Sequence, residues 1–97
     1  MKLLRVGEKE KEIPAILDKE KKIRNLSNYI TDFNPKNLNF NTLNKIKDLD
    51  LKTLPEIDPK NRIGPCITNP GNFFAIGLNY KAHAEETGAK PPEFPII

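Results

Sequence analysis

A strand-to-helix corner in the last third of the chain constrains the fold more than any other feature. The apolar run Phe73-Phe74-Ala75-Ile76 has the composition of a buried strand, and it stops at Gly77. Asn79 can cap a helix that follows, because its side-chain oxygen can accept a backbone N–H of the first turn. We therefore predict a strand that ends at Gly77, with its phenylalanine and isoleucine side chains in the core, and then a helix.

The predicted helix carries the single histidine of the chain, His83, and Glu86 follows it by one turn. Residues three apart share a helix face, so Glu86 can accept a hydrogen bond from one imidazole nitrogen of His83 and leave the other nitrogen for a proton or a water. A histidine oriented by a carboxylate is a general-base arrangement. A His–Glu pair also occurs on exposed helices without any function, so the spacing alone leaves both interpretations open.

This corner resembles the start of the catalytic domain in the fumarylacetoacetate hydrolase family. In that family a Gly-Leu-Asn-Tyr-x-x-His-x-x-Glu run precedes a Pro-x-x-Pro segment. Here the run begins at Gly77 and ends at Glu86, and residues 91–95 read Pro-Pro-Glu-Phe-Pro. The opening Met1-Lys-Leu-Leu-Arg-Val-Gly also looks like the small N-terminal domain of bacterial members, so the resemblance extends over essentially the whole chain.

The resemblance implies an α+β chain in two parts. Residues 1–69 would form a small β-meander domain with short helices and a proline-rich connector. Residues 70–97 would supply the first strand and helix of a mixed β-roll catalytic domain. Because chains of this family continue well past Ile97, we expect an N-terminal fragment of a longer protein whose catalytic domain is truncated.

The resemblance further implies a metal-dependent enzyme. In such enzymes Mg²⁺ or Mn²⁺, held by carboxylates, chelates a 2-oxo acid and stabilises its enolate character, while the His–Glu pair activates water or moves a proton. We therefore expect His83 and Glu86 to be catalytic and Asn79 and Tyr80 to bind substrate, with metal ligands that lie beyond Ile97. Asn79 can also serve only as a helix cap, and Tyr80 can simply pack.

Several reactions fit such a scaffold, and the sequence does not choose among them. They are hydrolysis of an acylpyruvate carbon–carbon bond, decarboxylation of a 2-oxo diacid, isomerisation of a 2-hydroxydienoate, and a ureidoglycolate lyase-like reaction. The fragment alone is expected to be inactive and to bind no metal, and the full-length protein to be a homodimer. The alternative is a stand-alone β-rich binding module without catalysis.

Composition argues against several other partners. The formal net charge is only +3, from 16 Lys+Arg and 13 Asp+Glu, and mixed runs such as Lys9-Glu10-Lys11-Glu12 predict solvated turns and no nucleic-acid surface. No apolar run approaches the roughly 20 residues that span a bilayer, so we expect no membrane partner and a cytoplasmic protein. The single Cys66 allows no internal disulfide and predicts a buried or half-buried thiol.

The first thirty residues predict a three-stranded meander. Short apolar segments predict strands over residues 3–6, 13–17 and 23–26, separated by charged turns. Pro14 cannot donate to a ladder, which predicts an edge position for its strand. Glu10 and Lys21 stand at turn positions where the family pattern has Gly, the residue that reaches positive φ without a steric cost.

Two further segments precede the corner. Asn41 or Thr42 can cap a helix over residues 43–49, whose apolar side chains share one face. The segment 55–70 holds four prolines and reads as an extended connector and domain boundary. We expect Ile57, Ile63 and Ile67 to pin this connector to the surface that it crosses.

Overall fold

The computed structural model describes residues 1–77, 86, 88, 93 and 94. Its framework is a four-stranded antiparallel sheet in which the strands follow each other in sequence order. One α-helix and a short 3₁₀ helix lie between the third and fourth strands. The elements are β1 (Lys2–Val6), β2 (Ile13–Leu17), β3 (Ile23–Asn25), α1 (Phe40–Lys47), the 3₁₀ helix (Leu51–Thr53) and β4 (Glu56–Ile57). The predicted meander is confirmed, and the described residues are compatible with the α+β class.

Alternation along the strands divides the apolar residues between two clusters. Leu4 and Ala15 are cross-strand partners in one cluster, while Leu3 and Ile16, also partners, belong to the other. The second cluster includes Ile46 of α1, so this is the sheet face that the helix covers. Its buried members are Ile16, Leu26, Ile30, Phe33, Ile46 and Leu54.

The two charged turns of the meander contain non-glycine residues with positive φ. Glu10 has φ 69° and Lys21 has φ 64°, which is left-handed backbone. The sequence prediction that these positions suit Gly is therefore confirmed. Each residue bears the steric cost that a Cβ adds in this region.

The predicted edge position of Pro14 is wrong. Pro14 lies in β2, which pairs with both β1 and β3. The strand tolerates the proline because pairing with β3 begins only at Ala15, so the missing donor falls outside that ladder. The carbonyl of Pro14 still accepts the backbone N–H of Leu26 at 3.0 Å.

Helix α1 begins earlier than its predicted start. Its N-cap is Asn39, not Asn41 or Thr42, and the side-chain oxygen of Asn39 accepts the backbone N–H of Thr42 at 2.9 Å. Ile46 is its one buried residue, and the last turn carries Lys45 and Lys47. These lysines lie near the carbonyl end of the helix dipole, where positive charge is favourable.

Residues 62–68, which are part of the predicted 55–70 segment, are called the connector from here on. They run antiparallel along the free edge of β1. The Gly7 N–H donates to the Arg62 carbonyl at 2.8 Å, and the Gly64 N–H donates to the Arg5 carbonyl at 2.8 Å. Thr68 N–H then donates to the carbonyl of Phe33 at 2.8 Å. These bonds cover an otherwise unpaired strand edge.

Apolar side chains do not pin the connector as predicted. Ile57 packs on the sheet, but Ile63 is 64% exposed and Ile67 is 37% exposed. Cys66 is exposed as well, so the predicted burial of its thiol is wrong. The connector is held through backbone groups and ion pairs, which leave Ile63, Cys66 and Ile67 facing solvent.

The predicted strand at residues 73–76 is not formed. Phe73 is 90% exposed and Phe74 is 74% exposed, and Ile76 also lies at the surface. A strand needs a neighbour for its backbone N–H and C=O groups, and no described residue pairs with this run. The prediction that these side chains are core residues is therefore wrong for the described part of the chain.

Candidate functional site

The structure describes only one member of the predicted catalytic and substrate-binding set. Asn79, Tyr80 and His83 lie outside the described residues. Glu86 is a helical, exposed residue, and Gly88 has φ 77°, the left-handed conformation of a glycine that ends a helix. The pairing of His83 with Glu86 therefore stays a prediction.

A buried arginine organises the main charged cluster of the described chain. Arg5 projects from β1 on the face opposite to Leu4 and is only 6% exposed. Its Nε donates to Oδ1 of Asp32 at 2.8 Å, and its Nη2 donates to Oδ2 of the same carboxylate at 3.0 Å. This two-point contact matches the planar guanidinium to the carboxylate and fixes the direction of both groups.

The same guanidinium has two further partners. Nη1 of Arg5 donates to the carbonyl of Pro65 at 3.2 Å, and Nη2 lies 3.3 Å from Oε2 of Glu12. Glu12 in turn binds Arg62, with 3.2 Å between Oε1 and Nη1. Asp32, Arg5, Glu12 and Arg62 therefore form a chain of alternating charge, which we call the connector clamp.

Contacts within the clamp shift the pKa values of Arg5, Glu12 and Asp32 in the direction of their charged forms. The hydrogen bond from Arg5 lowers the pKa of Asp32, and the same bond raises the pKa of Arg5. Burial by itself raises the pKa of Glu12, but the backbone N–H of Glu10 and the guanidiniums of Arg5 and Arg62 outweigh it and lower the pKa overall. These shifts keep Arg5, Glu12 and Asp32 in their charged forms at neutral pH.

A second buried arginine forms a cluster that does not involve the connector. Nε of Arg24 donates to Oδ2 of Asp18 at 2.9 Å, and its Nη1 donates to the carbonyl of Leu54 at 3.1 Å. Asp18 also accepts the backbone N–H groups of Glu20 and Lys22, and the Lys22 N–H is the main cause of its lowered pKa. This cluster closes the β2–β3 turn and anchors the chain before β4.

Neither arginine cluster has the chemistry of a catalytic centre. Their carboxylates Glu12, Asp18 and Asp32 are held by guanidiniums and backbone N–H groups, which leaves no basic oxygen directed at a reactant. Within the described residues, no three His, Cys, Asp or Glu side chains are grouped as metal ligands. The residues that the structure describes therefore do not supply the ligand set of a Mg²⁺ or Mn²⁺ site.

Sequence analysis missed both clusters. The alternating Lys–Glu pattern around Glu12 predicted a solvated turn, yet the side chain of Glu12 is 4% exposed. A usable signal was present in β1, where Arg5 stands between Leu4 and Val6, and a weaker one in β3, where Arg24 follows Ile23. A charge placed between core residues of a strand needs a partner, although the sequence does not show which carboxylate supplies it.

An open groove of about 890 Å³ lies between the β2–β3 turn, the start of β1 and the end of α1. Its floor includes Ile16 and Ile46, and its rim is rich in lysine. The carboxylate of Asp50 accepts the backbone N–H of Lys52 at 3.2 Å, and Asp18 is bound to Arg24. The rim lysines are Lys2, Lys19, Lys21, Lys47 and Lys52.

No helix among the described residues combines the length and the apolar character that crossing a membrane requires. This finding concerns the elements that the structure describes.

Comparison with known proteins gives one group of similar chains. The sequence is 40% identical over all 97 residues to a protein of Burkholderia lata named “Putative hydrolase”, and 41% identical over the same span to a similarly named protein of Burkholderia multivorans. A Burkholderia ambifaria protein of the same name is 40% identical. The chain spans 34% of the length of each of these relatives. No family model matches the chain.

Proposed function

We propose that this chain is the N-terminal part of a metal-dependent enzyme of the fumarylacetoacetate hydrolase family that acts on 2-oxo acids of the acylpyruvate type. The observation that carries the proposal is the run from Gly77 to Glu86, which has the residue types and spacing of that family's catalytic segment. The substrate class comes from this resemblance.

Similarity to longer proteins supports the proposal. All 97 residues align with Burkholderia proteins that are named hydrolases and are about three times as long. An alignment that includes residues 77–86 and the whole meander is what a shared N-terminal third would produce. A complete protein of similar length would have room for the carboxylates that the described residues lack.

In the proposed site His83 is the general base and Glu86 is the residue that orients it. Glu86 would accept one imidazole N–H, so that the other nitrogen is free to take a proton from water or from substrate carbon. Asn79 and Tyr80 would donate hydrogen bonds to substrate oxygens. Mg²⁺ or Mn²⁺ would supply Lewis-acid activation of the 2-oxo acid, and its ligands would come from outside this chain.

Three matched variants of the complete protein, meaning the product of the whole reading frame, test this site. His83→Ala and Glu86→Gln should each lower kcat by roughly 10²-fold or more, the scale of general-base catalysis. Glu85→Gln is the control, because consecutive residues of a helix point about 100° apart. Pyruvate release from an acylpyruvate provides the assay, and circular dichroism confirms that each variant is folded.

Equal losses for Glu85→Gln and Glu86→Gln would refute the dyad. A folded protein with no turnover of any 2-oxo acid would instead favour the alternative of a β-rich binding module. The two outcomes are distinct, because the first requires an active wild-type enzyme and the second excludes one.

A further inference from the structure

The connector is the route by which the chain passes from the meander to the segment that carries His83 and Glu86. Its docking ends at Thr68, the last connector residue that bonds to the meander. Asn69 then adopts φ 49°, and residues 69–77 are all exposed. The described backbone thus changes at Asn69 from a docked segment to one without tertiary cover.

The connector clamp joins four separate parts of the chain at the place where the connector docks. Arg5 lies on β1, Glu12 in the turn before β2, Asp32 after β3, and Arg62 in the connector itself. Pro65 adds its carbonyl from the connector side. Because a guanidinium presents its donors in one plane and in fixed directions, this set of partners admits a narrow range of connector positions.

The Arg24 cluster buries charge to a similar degree without contacting the connector. Burial of charge therefore does not by itself explain the arrangement around Arg5. Arg24 and its partner Asp18 are as buried as Arg5 and Glu12, but the longer-range contacts of Arg24 are with Leu54 and with Glu56 of β4, and neither residue belongs to the connector. A buried ion pair contributes little net stability compared with apolar packing of the same volume. The Arg5 cluster differs from the Arg24 cluster because it fixes the direction of the connector.

We infer that the connector clamp sets the position from which the chain enters the segment of residues 79–86, and that Arg5, Glu12 and Gly64 are positioning residues. Their catalytic effect is indirect and rests on the proposed function of that segment. The docking of the connector rests only on the described contacts. The docking of the connector and its effect on catalysis can therefore be refuted separately.

Gly64 offers a way to displace the connector without removing a charge. A Cβ at this position would lie 2.8 Å from Cγ of Glu12 and 3.3 Å from Nη1 of Arg62. Glu12 cannot easily retreat, because its carboxylate is buried and held by Arg5. Gly71 is the matched control, since a Cβ there would meet nothing within 4 Å.

Amide hydrogen exchange on the 97-residue chain tests the docking. Gly64→Ala should speed exchange at the amides of Gly7 and Thr68 by roughly tenfold or more, because local opening exposes the bonds that hold the connector. The Leu26 amide, bonded to Pro14, should keep its protection, and Gly71→Ala should match wild type at all three. Arg62→Gln provides a second variant at a side chain that is 46% exposed, and it should act in the same direction.

Turnover by the complete protein tests the positioning. Gly64→Ala should lower kcat by roughly threefold or more, with a smaller change in KM, because a released connector widens the range of positions from which the chain enters residues 79–86. Gly71→Ala should stay within about twofold of wild type. If the Gly7 and Thr68 amides stay protected in both Gly64→Ala and Arg62→Gln, the clamp does not hold the connector, and if these amides exchange faster while kcat is unchanged, the connector does not position the catalytic segment. If the wild-type enzyme turns over no 2-oxo acid, the proposed function fails, while the exchange result still decides the docking.

Discussion

At the scale of single residues, two arginines decide how the meander is tied together. Arg5 and Arg24 are both under 10% exposed, and each binds a carboxylate and a backbone carbonyl from a distant part of the chain. Removing one partner of such a pair leaves a buried charge without compensation, which costs more than the pair itself contributes. Substitutions at the carboxylates are therefore the sensitive probes of this domain.

Acid should weaken the domain through Glu12, Asp18 and Asp32. Their pKa values are lowered in the folded state from the ordinary 4.5 for Glu and 3.8 for Asp. The unfolded chain therefore binds more protons in this range, so the stabilisation is complete above the ordinary values and is lost as pH falls through the lower folded values. Urea unfolding of the 97-residue chain from pH 7 to pH 3 should show stability falling below about pH 4.5.

Glu12→Gln should reduce that loss, because it removes one of the titrating groups. Glu8→Gln is the matched control in the same turn, since the side chain of Glu8 is 84% exposed and its distance to Lys11 is 3.9 Å. An exposed pair of this kind contributes little, so this variant should keep the wild-type slope. Identical slopes for Glu12→Gln and wild type would contradict the role assigned to the clamp.

The charges also mark a limit of sequence reasoning at this scale. Glu10 and Glu12 are neighbours in one mixed run, yet Glu10 occupies an exposed turn and Glu12 is buried. The difference comes from the partners of Glu12, which are Arg5 on β1 and Arg62, a residue 50 positions away along the chain. A local charge pattern carries no information about such a partner, whereas the positive φ of Glu10 was predictable because turn geometry is local.

At the scale of elements, the start of α1 can be tested directly. Asn39→Ala should lower the free energy of unfolding by about 1 kcal/mol, because the side chain satisfies an N–H that the helix leaves without a partner. Asn41→Ala removes an exposed asparagine of the same helix and should change the stability by less than about 0.5 kcal/mol. Urea unfolding of both variants provides the comparison. A larger effect at Asn41 would place the cap where the sequence first indicated it.

The strands could be predicted from the sequence and the start of α1 could not, because the sequence marks the strands clearly and offers several equivalent starts for the helix. Short apolar runs over residues 3–6 and 13–17, separated by charged turn residues, indicate strands, and both faces of these strands pack in apolar clusters. The segment before α1 instead offers Asn37, Asn39 and Asn41, which have similar capping propensity. Tertiary packing of Ile46 selects the helix register, and the sequence shows this only indirectly.

Residues 73–76 have the composition of a strand but do not form one. Their composition predicts a buried strand, but a strand depends on partners that lie elsewhere in sequence. The described residues supply none. Exposed Phe73 and Phe74 beside a docked connector are consistent with the proposal that further sequence covers them in the complete protein.

At the scale of the whole molecule, the described residues form a small meander with two apolar clusters and a docked connector. The fold of this part could be derived from hydrophobic periodicity and turn residues. The candidate catalytic site could be named only from the spacing of His83 and Glu86 and a family resemblance, because its groups lie mostly outside the described residues. The relatives are about three times as long, so the chemistry of the complete protein stays a proposal.

Hydrolysis of an acylpyruvate by the complete protein is the most direct test of that proposal. With Mg²⁺ or Mn²⁺ present, water should cleave the carbon–carbon bond and release one pyruvate and one carboxylic acid per substrate, and chelation of the metal should stop the reaction. Pyruvate can be followed continuously with a coupled reductase, and the acid can be quantified by chromatography. The two products should form in equal amounts. A folded, metal-supplied protein that converts no acylpyruvate, 2-oxo diacid or 2-hydroxydienoate would contradict it.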